Sequence, residues 1–177
     1  YQTESYIHLK NALYLPEINL ENGNDETVHS AAGVQAVKRA VYEKGAVSAG
    51  YYTGNSHSGY YRFGSKTGSS RTTTSYYYDG DKYADHEITI VGWDDNYSKD
   101  NFSVTPPGNG AFLVKNSWDV DWGDSGYFYI SYYDKSLSEP TVFEAENVNY
   151  NGSKTAHTYQ NIYQYDGAGF GDALFTA

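Results

Sequence analysis

Two side chains in this sequence have the right types and neighbours for acid–base chemistry. His86 opens the apolar segment Glu87 to Trp93, and Asn116 follows a second apolar segment, Ala111 to Lys115, with Ser117 and Trp118 directly after it. An imidazole is the side chain best suited to move a proton near neutral pH. An asparagine amide can accept the imidazole N–H and fix its tautomer, and the Trp118 indole can cover that bond, which is stronger in low dielectric. A thiol set against the pair would complete a Cys-His-Asn site. The 177-residue chain contains no cysteine.

The elements that must hold these residues are short and β-rich. Ala31 to Lys44 reads as the one good helix: Val34, Val37, Ala40 and Val41 fall at helical spacing, Ser30 is placed to cap it, and Gly45 to stop it. Ala46 to Tyr52 reads as a strand, and the smallness of Ala49 and Gly50 implies a close approach by another element. Glu87 to Trp93, Ala111 to Lys115 and Tyr127 to Tyr133 read as further strands, and Thr141 to Val148 as another. Residues 56–80 are almost entirely Ser, Thr, Gly and Tyr with a few basic residues. They read as an excursion with a mobile tip at Gly64 to Thr74 and a returning strand at Ser75 to Tyr78. Arg62, Lys66 and Arg71 form a small basic cluster there, either solvated or gripping an acidic partner.

Composition narrows the class. The length fits one domain with an appendage and suffices for a sizeable core. Of all residues 18% are aromatic, including 21 tyrosines, which suits half-wet strands where the ring packs and the hydroxyl finds a partner. A net charge of -10 argues against nucleic acid and anionic membranes as partners. No apolar run approaches the ~18 residues of a membrane span. The chain opens on Tyr1 and has no methionine, which reads as a mature or excised piece. The composition is expected of a secreted or cell-surface bacterial protein.

Asp85-His86-Glu87-Ile88-Thr89-Ile90-Val91-Gly92-Trp93 resembles the histidine strand of papain-like cysteine peptidases. Gly110 to Trp118 is similar to that family's asparagine strand, and Trp122-Gly123-Asp124-Ser125-Gly126-Tyr127 to the Trp-Gly-x-x-Gly-Tyr that follows it. Lys44 to Ala49 resembles the family's helix-to-strand element. The order of the three motifs is specific, and the resemblance covers roughly Tyr6 to Tyr133.

The resemblance implies an α+β fold: the right-hand lobe of a papain-like domain, an antiparallel sheet or barrel with one main helix at residues 31–44, occupying residues 1–134. It implies that residues 135–177 extend into a second, lectin-like domain, as in a bacterial branch of the family. His86 and Asn116 would be catalytic and Trp118 supporting. The cysteine would lie in a left-hand lobe outside this sequence, on the same precursor or as a companion chain. The substrate would be protein or peptide, with no cofactor and no metal. The isolated chain would be inactive.

Two positions depart from the family pattern. Asp119 stands where glycine is usual, and Glu87 where alanine is usual. The position of Glu87 lies in the family near the pocket for the second residue before the cut, so Ala84, Glu87 and Gly50 are candidate pocket residues. An acid there either favours basic side chains or turns to solvent.

Two other functions remain open: a non-enzymatic relative acting as a surface binding module, and a carbohydrate-binding module built on the tyrosine-rich loop and tail. Tyr76-Tyr77-Tyr78 is either strand packing or a stacking platform. Asp119, Asp121 and Asp124 are spaced like a loose calcium loop but lack an EF-hand's later glutamate. His8, His29, His57 and His157 share no motif and read as surface residues.

Overall fold

The computed structural model describes residues 7–21, 26–54, 59–64, 66–67, 70–71 and 73–147. In chain order these form strands β1 (Ile7–Tyr14), β2 (Asn19–Glu21) and β3 (Thr27–His29), helix α1 (Ala31–Lys44), then β4 (Val47–Tyr51), β5 (Tyr61–Phe63), β6 (Lys66–Thr67), β7 (Ser70–Arg71), β8 (Thr74–Tyr76), β9 (His86–Asp94), β10 (Ala111–Lys115), β11 (Tyr127–Ser131) and β12 (Ser138–Asn147). A single 3₁₀ turn, Lys99–Asn101, interrupts the loop between β9 and β10.

Eight strands make one sheet in the order β1-β12-β4-β9-β10-β11-β8-β5, antiparallel except where β8 runs parallel to β11. β1 and β5 stand at opposite edges, so the sheet is open; a closed barrel, the other expected form, is not what the strands build. The pattern of β9 explains the sheet's two faces. His86, Ile88 and Ile90 are buried, while Glu87, Thr89 and Val91 between them are half-buried, as the period of two requires.

Helix α1 forms where its spacing places it. The Ser30 hydroxyl accepts from the Gly33 N–H at 3.1 Å, and Gly45 ends the helix at φ 101° with its N–H on the Val41 carbonyl at 2.9 Å. The buried stripe Val34, Val37, Ala40 and Val41 joins Val47, Ile90, Val114 and Val142 from the sheet in one core. Full burial of such side chains stabilises by roughly 1.5–3 kcal/mol each.

The excursion between β4 and β9 is more ordered than its composition suggests. β5 pairs with β8, and β8 with β11, so the stretch adds two strands to the main sheet. Its returning strand ends at Tyr76 rather than Tyr78, yet all three tyrosines there are buried, which removes the stacking platform. Arg62 donates to the Asp100 carbonyl, tying the excursion to the 3₁₀ turn. The backbones of Lys66 and Arg71 pair, but their side chains lie outside the described residues, as does much of the expected tip.

A boundary after Asp134 does not describe the sheet. β12 lies beyond it and is inserted between β1 and β4. Asp134 is a buried corner: one carboxylate oxygen accepts from the Tyr78 N–H at 2.8 Å, the other from the Ser136 N–H and hydroxyl at 2.9 and 2.6 Å. Asn19 donates to the carbonyls of Asp134 and Leu137. The chain therefore turns at Asp134 and re-enters the same sheet. Residues 148–177, the rest of the expected extension, lie outside the described residues.

Candidate active site

β9 and β10 are antiparallel neighbours, which brings the start of one beside the end of the other. His86 is the first residue of β9, and Asn116 directly follows β10. The strand pairing alone therefore places imidazole and amide together. His86 Nε2 lies 2.9 Å from Asn116 Oδ1, and both residues are buried.

The amide's orientation follows from its neighbour. The Ser117 N–H donates to the same Asn116 Oδ1 at 2.8 Å, which identifies that atom as the oxygen. A carbonyl oxygen only accepts, so the proton of the His86–Asn116 bond sits on Nε2. The neutral ring then keeps its lone pair on Nδ1, the atom available as a base. Asn116 Nδ2 is buried and makes no hydrogen bond within the described structure.

Trp118 covers this bond. Its ring centroid is 4.8 Å from that of His86 with planes 31° apart, and Trp122 meets Trp118 edge-on at 4.9 Å. The outer face of Trp118 stays open, the residue being 36% exposed. The tight loop under the indoles needs left-handed backbone. Asp119 adopts φ 71°, a conformation aspartate tolerates, which accounts for its standing where glycine is usual. Gly123 adopts φ 61°, and a side chain there would come within 2.6 Å of the Tyr127 carbonyl oxygen.

The three candidate pocket residues also come together. Gly50 pairs with Glu87 across β4 and β9, one step from the Tyr51–His86 pair. A Cβ on Gly50 would lie 2.9 Å from Ala84 Cβ, 3.3 Å from Ser138 Oγ and 3.7 Å from Glu87 Oε2. The absence of a side chain at Gly50 thus lets Ala84, Ser138 and the Glu87 carboxylate approach β4 closely. Glu87 is half-buried rather than turned out to solvent, and its Oε1 accepts a hydrogen bond from Ser48.

Sequence reasoning missed Tyr51. Fully buried, it sits directly across from His86 and presents its ring at 68° to the imidazole with centroids 5.8 Å apart. Nothing in the sequence pattern reveals this, because it depends on the register between β4 and β9. His29, expected at the surface, packs its ring 4.5 Å from that of Tyr133 with Nδ1 buried. Burial holds its pKa below the ordinary value. Asp119, Asp121 and Asp124 do not converge on a cation: among the described residues no group of His, Asp and Glu is arranged to hold a metal. A cleft of about 480 Å³ lined by Glu26, Thr27, Val28, Asp79, Gly80, Asp81 and Lys135 shares no residue with the histidine site.

An open antiparallel sheet with one helix, carrying a tryptophan-covered His–Asn pair, defines a lobe of the cysteine-protease type. Residues 16–149 match the papain family of cysteine proteases, and the chain belongs to that family. It is similar to human cathepsin L2, with 28% identity over 152 residues, covering 84% of this chain and 36% of that protein. It is also similar to a gut-specific cysteine proteinase of Caenorhabditis elegans, 33% identical over 101 residues, covering 57% of this chain and 24% of that one. Among solved structures, the cysteine protease and lectin-like domains of Cwp84, a surface-layer-associated protein of Clostridium difficile, superpose with a TM-score of 0.52 at 35% identity, covering 65% of this chain and 24% of that one. The chain thus spans roughly a third of the first relative's length and a quarter of the second's.

Proposed function

We propose that this chain supplies the histidine and asparagine of a Cys-His-Asn endopeptidase site, and that the cysteine comes from a companion lobe on the same precursor or on a separate chain. The observation that carries this reading is the His86 Nε2 to Asn116 Oδ1 bond of 2.9 Å under Trp118. In it, Nδ1 takes the thiol proton, giving a thiolate–imidazolium pair with the thiol pKa well below its free value of about 8.5. The thiolate adds to a peptide carbonyl, and the imidazolium returns the proton to the leaving amine as the C–N bond breaks. His86 then takes a proton from water, whose oxygen displaces the thiolate from the thioester. Asn116 keeps the ring's plane and tautomer through both steps, and Trp118 keeps water from their bond.

In this reading Gly50, Ala84 and Glu87 belong to the pocket for the second residue before the cut, with Glu87 selecting basic groups. The likeness to Cwp84 supports a bacterial protein that is secreted or held at the cell surface. It also supports residues 148–177 belonging to a following lectin-like unit. The test is cleavage of a fluorogenic peptide by the intact precursor that contains these residues. Activity that a thiol-alkylating reagent and His86→Ala both abolish is the expected result; activity equal to wild type in His86→Ala ends the reading.

A further inference from the structure

His86 is gripped from two sides by aromatic rings, and both supports lead to the same residue. Trp118 packs on the imidazole at 4.8 Å, Trp122 meets Trp118 at 4.9 Å, and Tyr61 meets Trp122 edge-on at 5.8 Å. From the other side Tyr51 packs edge-on to the imidazole at 5.8 Å, and its hydroxyl lies 2.7 Å from that of Tyr61. The contacts close a loop: His86, Trp118, Trp122, Tyr61, Tyr51 and back to His86. Tyr61 belongs to β5, inside the tyrosine-rich excursion.

Core filling alone does not account for this arrangement. A leucine or phenylalanine at position 51 would fill apolar space without a polar atom to satisfy, whereas a phenol in a dry core needs a hydrogen-bond partner. Tyr51 is fully buried and Tyr61 nearly so, and each hydroxyl is the other's partner. The bond fixes where the Tyr51 ring stands, and the ring stands against the imidazole. Tyr76 of β8 locks the pair, meeting Tyr51 at 5.3 Å and Tyr61 at 4.4 Å, with its own hydroxyl donating to the Tyr52 carbonyl. The backbone adds a further tie, since the Asp85 N–H donates to the Tyr51 carbonyl at 3.0 Å, one residue before His86.

We propose that Tyr51 is a positioning residue for His86, and that its hydroxyl pair with Tyr61 makes the excursion strands β5 and β8 part of the device that sets the imidazole's plane and tautomer. The inference rests on the reading of His86 as the base. It gives the excursion a role in the site, one that neither the family's three motifs nor the pocket requires.

The test uses the intact precursor with ¹⁵N-labelled histidine, as wild type, Tyr51→Leu and Tyr61→Phe. The imidazole nitrogen shifts are read by NMR, and peptide turnover is measured in parallel. For the NMR arm the precursor's catalytic cysteine is replaced by alanine in every variant and the pH is held above the ordinary imidazole pKa, so that no thiolate–imidazolium pair forms. In that background the otherwise wild-type protein is expected to show His86 as the Nε2–H tautomer. Tyr51→Leu is expected to raise the Nδ1–H population and to lower kcat by about 10-fold or more with KM within about two-fold, since a small misplacement of a catalytic group costs rate rather than binding. Tyr61→Phe keeps both rings and is expected to move the same shifts in the same direction by less. Unchanged His86 shifts and kcat in folded Tyr51→Leu overturn the proposal. If that variant does not fold, unchanged shifts in Tyr61→Phe overturn it instead. An inactive wild-type precursor counts against the peptidase reading alone, because the nitrogen shifts are read without turnover and still decide the positioning role.

Discussion

The Oδ1 of Asn116 receives two hydrogen bonds at once, from His86 Nε2 at 2.9 Å and from the Ser117 backbone N–H at 2.8 Å. The second bond fixes the amide that fixes the ring. Asn116 therefore acts on orientation, and removing its side chain should leave the substrate's binding surfaces in place. Asn116→Ala is expected to lower kcat by about 10- to 100-fold with KM little changed, because the reacting nitrogen is no longer held in line. His86→Ala is expected to abolish turnover. Steady-state kinetics on the intact precursor check both, and a large rise in KM for Asn116→Ala would contradict the positioning role.

Glu87 stands beside Gly50, where Ala84 and Ser138 also come close. A carboxylate there is expected to favour substrates with lysine or arginine as the second residue before the scissile bond. Glu87→Gln keeps the shape and removes the charge. It is expected to cut the preference for a basic over an isosteric neutral side chain by about 10-fold, the scale of a charge-assisted hydrogen bond of about 1.5 kcal/mol. Ratios of kcat/KM for paired peptides measure this; an unchanged ratio removes Glu87 from specificity.

Asp134 makes the pH dependence of folding testable. Burial pushes its pKa up to about 7, although the Ser136 hydroxyl and the N–H groups of Tyr78 and Ser136 oppose the shift. The folded carboxyl thus binds its proton more tightly than the unfolded one, whose ordinary value is 3.8. Its contribution to stability is fully present below pH 3.8 and is lost as pH rises through about 7. Urea midpoints of the intact protein across this window are expected to fall with rising pH. In Asp134→Asn that part of the slope should vanish, while stability drops at every pH because Tyr78 and Ser136 donate to different oxygens of the carboxylate and an amide offers an acceptor at only one of those two positions.

Ser30 provides a control away from the site. Its hydroxyl caps helix α1 through the Gly33 N–H. Ser30→Ala is expected to cost about 1 kcal/mol of stability and to leave kcat/KM unchanged, as read by urea unfolding and peptide turnover.

How much of this was legible in the sequence varies with the range of the interaction involved. Local signals worked where one residue decides. Ser30 and Gly45 bound the helix as their chemistry requires, and the alternation after His86 marks a strand with one buried face. The motif order around His86, Asn116 and Trp118 pointed to the site because each motif carries its own local geometry. The excursion was legible in part: its returning strand was expected at Ser75 to Tyr78 and lies at Thr74–Tyr76, whereas Tyr61–Phe63 carries no strand signal of its own and becomes β5 only by pairing with β8. The turn at Asp134 misled, since a weakening pattern looks like a boundary until β12 is seen between β1 and β4.

The sequence by itself determined the helix, the strand periods, the choice of His86 and Asn116 as candidate site residues and the family of the chain, all of which depend on residue types at short spacing. Tertiary structure decided what depends on register. It decided that the sheet stays open, that Gly50 faces Glu87, and that Tyr51 stands against His86 with its hydroxyl on Tyr61. A strand's residues name the faces it offers, but its partners are chosen by the packing of the whole sheet.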